Sequence, residues 1–202
     1  EEFGVSPAHV NWLTPGPVED EVQPRDGSTV GFINKKQGVD DKRLLDEALV
    51  SGAIDAMTSA TFSAAFLKGD PRVKRLFSDY KDRELSYYKK TGIFPIMHVL
   101  AAKRSTVEKH PDLSQKLIAL FSEALQYASQ RLHFEGSLSL AWKIHYLEEE
   151  QRALGSDAWA YGVDKNRTTL NKFLSYAYDM GVSKRKMAAE ELFDPNSLTI
   201  AD

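Results

Sequence analysis

The segment that ends at His98 contains residues whose types suit proton transfer. Residues 91–98 read TGIFPIMH, so a histidine closes a run that is mostly apolar. Histidine exchanges a proton near neutral pH and commonly serves as a general acid. A polar side chain in apolar surroundings needs either a hydrogen-bond partner or a function. We therefore predict that His98 is a catalytic acid; the alternative is a buried histidine bonded to the backbone.

Three residues before His98 are candidates for contact with a small ligand. Glycine lets a ligand approach the backbone closely, so the N–H groups of Thr91 and Gly92 are predicted to contact an anion. The alternative for Gly92 is that it ends the preceding helix, and both interpretations can hold together. Tyr87 and Tyr88 point about 100° apart on a helix, so they cannot face the same ligand. We predict that Tyr88 contacts an aromatic ligand.

A second candidate region follows a predicted strand over residues 54–60. Ligands of open α/β sheets bind beyond the carboxyl ends of the strands. Ser59 and Thr61 occupy that position in the sequence and are predicted to bind substrate.

Other residues of chemical interest have simpler interpretations. The remaining histidines lie beside prolines or on predicted helices without an acidic ligand pattern, which indicates no metal site; they are His9, His110, His133 and His145. The basic run 70–75, DPRVKR, is predicted to be a turn with a solvated face. Three aromatic residues are expected to pack helices together; they are Trp142, Trp159 and Tyr161.

The elements that position these residues change in type along the chain. The first part predicts short strands over 10–14 and 29–33, an exposed loop over 15–23, and a helix from Asp40 or Asp41 to Gly52. The second part is predominantly helical. It predicts helices over 79–90, 111–134, 138–154, 164–180 capped by Asp164, and 183–193 capped by Ser183, with an apolar strand over 95–103.

Bulk composition excludes several classes of function. The 202 residues carry a net charge of −3, which gives no reason to expect nucleic acid as a partner. No apolar run is long enough to cross a bilayer, so no membrane partner is predicted. The chain has no cysteine, which excludes thiolate metal sites and thiol nucleophiles.

Residues 69–98, together with YGVDKNR at 161–167 and EELF at 190–193, resemble the 4,5-dihydroxyphthalate decarboxylase family. The resemblance implies an α/β fold of the two-lobed type II periplasmic-binding-protein kind. It places the remainder of a central α/β lobe at 1–95. A crossing strand and the helices that return to the other lobe follow at 96–202. It also implies that the chain lacks the N-terminal part of a whole family member.

The resemblance implies a cofactor-independent decarboxylase of an aromatic acid, of the type that converts 4,5-dihydroxyphthalate to 3,4-dihydroxybenzoate. His98 would protonate the ring, and the hydroxyl and backbone groups above would hold a small aromatic carboxylate. The implied location is the cytoplasm. The alternative is a solute-binding protein for a small aromatic or carboxylate ligand, which would be periplasmic.

One departure from the family concerns the residues after Ser59-Ala60. Family members are expected to carry an arginine and prolines there, whereas this chain has Thr61-Phe62-Ser63. Threonine cannot grip a carboxylate bidentately as arginine does. The departure indicates a less acidic aromatic ligand, with Phe62 shaping its pocket. A missing half-lobe would also expose apolar faces, such as the helix over 111–134, so a homo-oligomer is a further expectation.

Overall fold

The computed structural model describes residues 2–15, 24–33, 40–134, 139–156 and 158–198. The chain divides into two compact units. Unit 1 comprises Glu1–Lys81 and Ala177–Lys184, and unit 2 comprises Asp82–Tyr176 and Arg185–Asp202. The predicted exposed loop over 15–23 lies outside the described residues from 16 onward. The predicted lobe boundary at residue 95 stays a prediction.

A small parallel sheet opens unit 1. Strand β1 (Asn11–Thr14) pairs with β2 (Thr29–Phe32), with Asn11 opposite Thr29 and Thr14 opposite Phe32. Both predicted strands are confirmed, each to within one residue at its ends. The parallel pair and the many helices are consistent with the predicted α/β class. The two-lobed binding-protein fold remains a prediction.

Helix α1 (Asp41–Ser51) begins and ends where the sequence indicates. The Asp40 carboxylate accepts a hydrogen bond from the Arg43 N–H at 2.9 Å and caps the helix. Gly52 adopts φ +76° just beyond the last turn, and its N–H donates to the carbonyls of Ala48 and Leu49. The apolar face buries Leu44 and Ala48.

The chain after α1 turns back on the helix end, and the predicted strand over 54–60 is wrong. The N–H groups of Ala53 and Ile54 both donate to the carbonyl of Ala48. These donors are therefore unavailable to a sheet, and no described strand pairs with this segment. Helix α2 (Ala64–Leu67) follows, capped by the Ser63 hydroxyl.

Unit 2 is built from longer helices, four of which were predicted. In chain order the helices after α2 are α3 (Tyr80–Thr91), α4 (Arg104–Lys109), α5 (Leu113–Leu132), α6 (Lys143–Leu154) and α7 (Arg167–Asp179). The predictions for α3 and α5 are confirmed within two residues at each end. Helices α6 and α7 begin later than predicted, and residue 138 lies outside the described residues. Unit 1 contributes the first two residues of α3 and the last three of α7.

Two predicted elements after α3 are absent. Residues 95–103 form no strand, because none of the described residues pairs its backbone with them. Residues 183–193 contain only a 3₁₀ turn over Ala189–Glu191 instead of a helix. The Arg25 guanidinium donates to the Ser183 carbonyl at 3.1 Å, and this carbonyl is the group that would accept the first hydrogen bond of the predicted helix.

The start of α7 also differs from its predicted form. Asp164 was expected to cap the helix, but α7 begins at Arg167, and the Asp164 carboxylate accepts a hydrogen bond from the Arg167 guanidinium at 2.6 Å. The core of unit 2 forms around this helix. Its buried members are Val163, Leu170, Leu174 and Ala189.

The apolar stripe of α5 is largely open to solvent. Leu120 is 59% exposed and Phe121 is 44% exposed. The predicted homo-oligomer stays a prediction. In the parts of the chain that the structure describes, every helix is too short or too polar to span a membrane.

The turn after α2 is held by an ion pair, as expected for a solvated turn. Asp70 accepts hydrogen bonds from the Arg72 guanidinium at 2.7 and 3.0 Å and from the Arg72 N–H at 3.0 Å. These bonds, led by those from the guanidinium, lower the pKa of Asp70 from 3.8 to about 2. The ionised carboxylate therefore contributes stability that is present above pH 3.8 and is lost as the pH falls through about 2.

We expect Asp70→Asn to lower the melting temperature at about pH 6 and to have a much smaller effect at about pH 2, because about half of the wild-type carboxyl groups are then protonated. Thermal unfolding followed by circular dichroism across this pH range measures the difference. Asp55→Asn is the matched control, since no described residue bonds to the exposed Asp55 carboxylate. A difference between wild type and Asp70→Asn that stays constant with pH would contradict this account.

Candidate functional site

The turn after α3 is built by Thr91 and Gly92. The Thr91 hydroxyl donates to the Tyr87 carbonyl at 2.7 Å and accepts from the Ile93 N–H at 3.1 Å. Gly92 adopts φ +67°, and its N–H donates to the Tyr88 carbonyl at 2.7 Å. This left-handed conformation is the common end of a helix. The structure confirms that Gly92 ends the helix, and the anion contact of this turn stays a prediction.

Three aromatic rings, which we call the Phe94 cluster, fix the residues after this turn. Phe94 meets Tyr88 edge to face at 6.4 Å between ring centroids and Trp159 at 4.9 Å. Such edge-to-face pairs are the favoured geometry of aromatic contacts. The Thr169 hydroxyl donates to the Phe94 carbonyl at 3.1 Å, which ties the same residue to α7.

Tyr88 is half-buried, and its hydroxyl donates to the Leu154 carbonyl at 3.5 Å. The Trp159 ring contacts Phe94, and its indole N–H donates to Glu150 at 3.3 Å. The contact of Tyr88 with an aromatic ligand stays a prediction.

His98 lies four residues beyond Phe94, in a segment with neither helix nor strand. The imidazole is exposed, and no described residue makes a hydrogen bond to it. Its neighbours Met97 and Val99 are 69% and 65% exposed. The interpretation as a buried histidine bonded to the backbone is therefore wrong. The catalytic role of His98 stays a prediction.

Ser59 and Thr61 lie together in unit 1. The Thr61 N–H donates to the Ser59 hydroxyl at 3.2 Å, and the two hydroxyl oxygens are 3.5 Å apart. Both residues are exposed. They form a local turn, which we call the hydroxyl turn, and do not follow a strand. The reason for predicting that they bind substrate was therefore wrong. Their contact with substrate stays a prediction.

The structure thus brings the predicted residues together in two local groups. One is the turn of Thr91 and Gly92 with the half-buried Tyr88 in unit 2, and the other is the hydroxyl turn in unit 1. Sequence reasoning missed Thr169 and the position of Arg75 over aromatic rings. Neither has a pattern in the sequence that distinguishes it from an ordinary exposed polar residue.

A cleft of about 330 Å³ lies between α1 and α2 in unit 1 and contains none of the predicted site residues. Asp46 lines it. One oxygen of that carboxylate accepts from the Ala64 N–H at 2.7 Å, and the other is buried without a hydrogen-bond partner. Across the described ranges, no group of three or more histidine, aspartate or glutamate side chains is arranged to hold a metal ion.

Comparison with known proteins gives one distant relative of stated function. The chain is 28% identical over 204 aligned residues to a 4,5-dihydroxyphthalate decarboxylase of Comamonas testosteroni. The alignment covers 98% of this chain, which spans 61% of the length of that relative. No protein-family model matches the chain. The similarity supports the resemblance seen in the sequence at the level of a distant relative.

We expect Thr91→Val to lower the free energy of unfolding by about 1 to 2 kcal/mol, because it removes the two hydrogen bonds of the Thr91 hydroxyl while keeping a β-branched side chain. Urea unfolding measures this loss. Thr91→Ser keeps the hydroxyl and is the matched control, with a smaller loss expected. A valine variant as stable as the wild type would show that the hydroxyl does not hold the turn.

Proposed function

We propose that this protein takes part in the decarboxylation of an aromatic acid of the 4,5-dihydroxyphthalate type. The observation that carries the proposal is the similarity to a decarboxylase of that name along 98% of the chain. The segment 91–98 contains His98, whose residue type can donate the proton that the reaction needs. Because the chain spans 61% of the length of that relative, the activity of the whole relative is a proposal for this chain.

The proposed reaction needs a proton donor at one face of the substrate ring. A hydroxyl para to the departing carboxylate donates electron density, so the ring carbon that bears the carboxylate accepts a proton. The carbon–carbon bond then breaks, carbon dioxide leaves, and its bonding electrons restore the aromatic ring. His98 would donate the proton as imidazolium and recover one from water.

The accessibility of His98 supports this role. A general acid must come within hydrogen-bond distance of the atom it protonates. The imidazole is exposed, and none of the described residues occupies it with a hydrogen bond. The anchoring of Phe94 by Thr169 and two rings supports a fixed starting point for the segment that carries the histidine. The substrate contacts proposed for Thr91, Gly92 and Tyr88 would lie on the same stretch of chain.

A solute-binding protein for an aromatic carboxylate is the second candidate. The division into two compact units is compatible with it, because the chain returns to unit 1 with residues 177–184 after building unit 2. Two-lobed binding proteins have such crossings, and the fold alone does not decide between a binding protein and an enzyme. The two candidates differ in whether the bound acid loses carbon dioxide.

We expect the protein to release carbon dioxide from 4,5-dihydroxyphthalate, and we expect His98→Asn to slow the release by about a hundredfold or more, since asparagine cannot donate a proton as imidazolium does. Carbon dioxide from carboxyl-labelled substrate is the readout. His110→Asn is the matched control, because His110 is also exposed and lies outside the proposed site.

The results separate three cases. Release that survives His98→Asn would keep the reaction and remove His98 as its acid. Substrate that binds without any release would favour the solute-binding protein. Neither release nor binding would overturn both candidates.

A further inference from the structure

The Arg75 side chain in unit 1 is surrounded by aromatic rings. Its guanidinium carbon lies 4.6 Å from the ring centroid of Tyr80, 5.3 Å from that of Phe66 and 5.4 Å from that of Phe62. A cation over an aromatic face is attracted by the negative charge density of the ring. These four residues, which we call the Arg75 cluster, therefore hold the guanidinium over the faces of three rings.

The hydrogen-bonding edge of Arg75 is open. Within the described part of the chain, no carboxylate or carbonyl accepts a hydrogen bond from this guanidinium. The neighbouring Arg72 differs, because its guanidinium binds the Asp70 carboxylate and also donates to the Val50 carbonyl at 3.4 Å. Arg75 thus keeps a planar set of N–H donors that matches the geometry of a carboxylate.

The rings around Arg75 are themselves positioned by local structure. Phe62 precedes α2 and Phe66 lies within it, and their rings stack at 5.8 Å with planes 17° apart. The Ser63 hydroxyl accepts from the Phe66 N–H at 3.2 Å, and the Ala64 N–H donates to Asp46. The Arg75 cluster is therefore already formed without a ligand, which lowers the entropic cost of binding.

The cluster also leaves apolar ring surface open beside the cation. Phe62 is 54% exposed and Tyr80 is 42% exposed. Lys74, the residue before Arg75, adds a second exposed positive charge. An anion with a flat apolar body complements both features.

We propose that the Arg75 cluster binds an aromatic carboxylate, with the carboxylate on the edge of the Arg75 guanidinium and the ring against Phe62. Charge-assisted hydrogen bonds of this planar kind are among the stronger polar contacts in proteins. The ring contact adds selectivity for flat ligands. The site lies within unit 1 and stands whether or not the protein decarboxylates what it binds.

Isothermal titration calorimetry of the whole protein with phthalate tests the site. We expect measurable binding that Arg75→Met weakens by about tenfold or more, because methionine keeps an apolar stem and loses the donors. Arg75→Lys should also weaken binding, since an ammonium lacks the planar fork. Lys74→Met is the matched control, with the same change in net charge one residue away, and its effect should be small.

Two probes separate the parts of the site. Dimethyl phthalate keeps the ring without a carboxylate, and cyclohexane-1,2-dicarboxylate keeps both carboxylates without an aromatic ring. We expect both to bind more weakly than phthalate. Equal binding of the cyclohexane compound would overturn the role of the rings.

The proposal is overturned if phthalate fails to bind, or if Arg75→Met and Lys74→Met weaken binding equally, which would indicate only general attraction to positive charge. Far-UV circular dichroism and the melting temperature establish that each variant is folded. Phthalate binding that depends on Arg75, with no release of carbon dioxide from 4,5-dihydroxyphthalate, would support this site while the proposed reaction fails.

Discussion

The left-handed conformation of Gly92 determines how the chain leaves α3. With φ at +67° this residue ends the helix, and the Thr91 hydroxyl closes the turn by bonding on both sides of it. Space is open where a Cβ would lie on Gly92, so the requirement for glycine comes from its backbone angle and not from crowding. The direction of the chain toward Phe94 and His98 depends on this turn.

The Phe94 cluster fixes the position of the chain just beyond this turn, within unit 2. Phe94 is held by a hydrogen bond from Thr169 and by edge contacts with Tyr88 and Trp159, which come from α3 and from the segment before α7. Residues from separate parts of the sequence therefore fix one point of the chain. His98 follows four residues later in an exposed segment. The proposed proton donor therefore lies close in sequence to an anchored residue.

Capping residues in the sequence predicted where α1 begins and ends and where α3 ends. Asp40 and Gly52 bound α1, and Gly92 follows the last residue of α3, as the pattern indicated. Two predictions after α3 failed because local patterns do not show contacts with distant residues. The apolar residues 95–103 would form a strand only beside another strand. Over 183–193, the Arg25 guanidinium binds the Ser183 carbonyl, which would accept the first hydrogen bond of the predicted helix.

Contacts within the candidate site were likewise not predictable from local sequence. The turn of Thr91 and Gly92 could be located from its residue types, but the hydrogen bonds that occupy the Thr91 hydroxyl could not. The cation–π contacts of Arg75 depend on how Phe62 and Tyr80, far apart in sequence, come together. The basic run around Arg75 therefore predicted only a solvated turn. That prediction describes Arg72, but it leaves out the ring contacts of Arg75.

Nuclear magnetic resonance of the reaction of 4,5-dihydroxyphthalate in D₂O tests the central claim most directly. Protonation of the ring by an exchangeable imidazolium predicts 3,4-dihydroxybenzoate that carries one deuterium at the carbon vacated by the carboxylate. Substrate that persists unchanged through prolonged incubation with the protein would contradict the claim. Product with ordinary hydrogen at that carbon would contradict protonation by a group that exchanges with solvent.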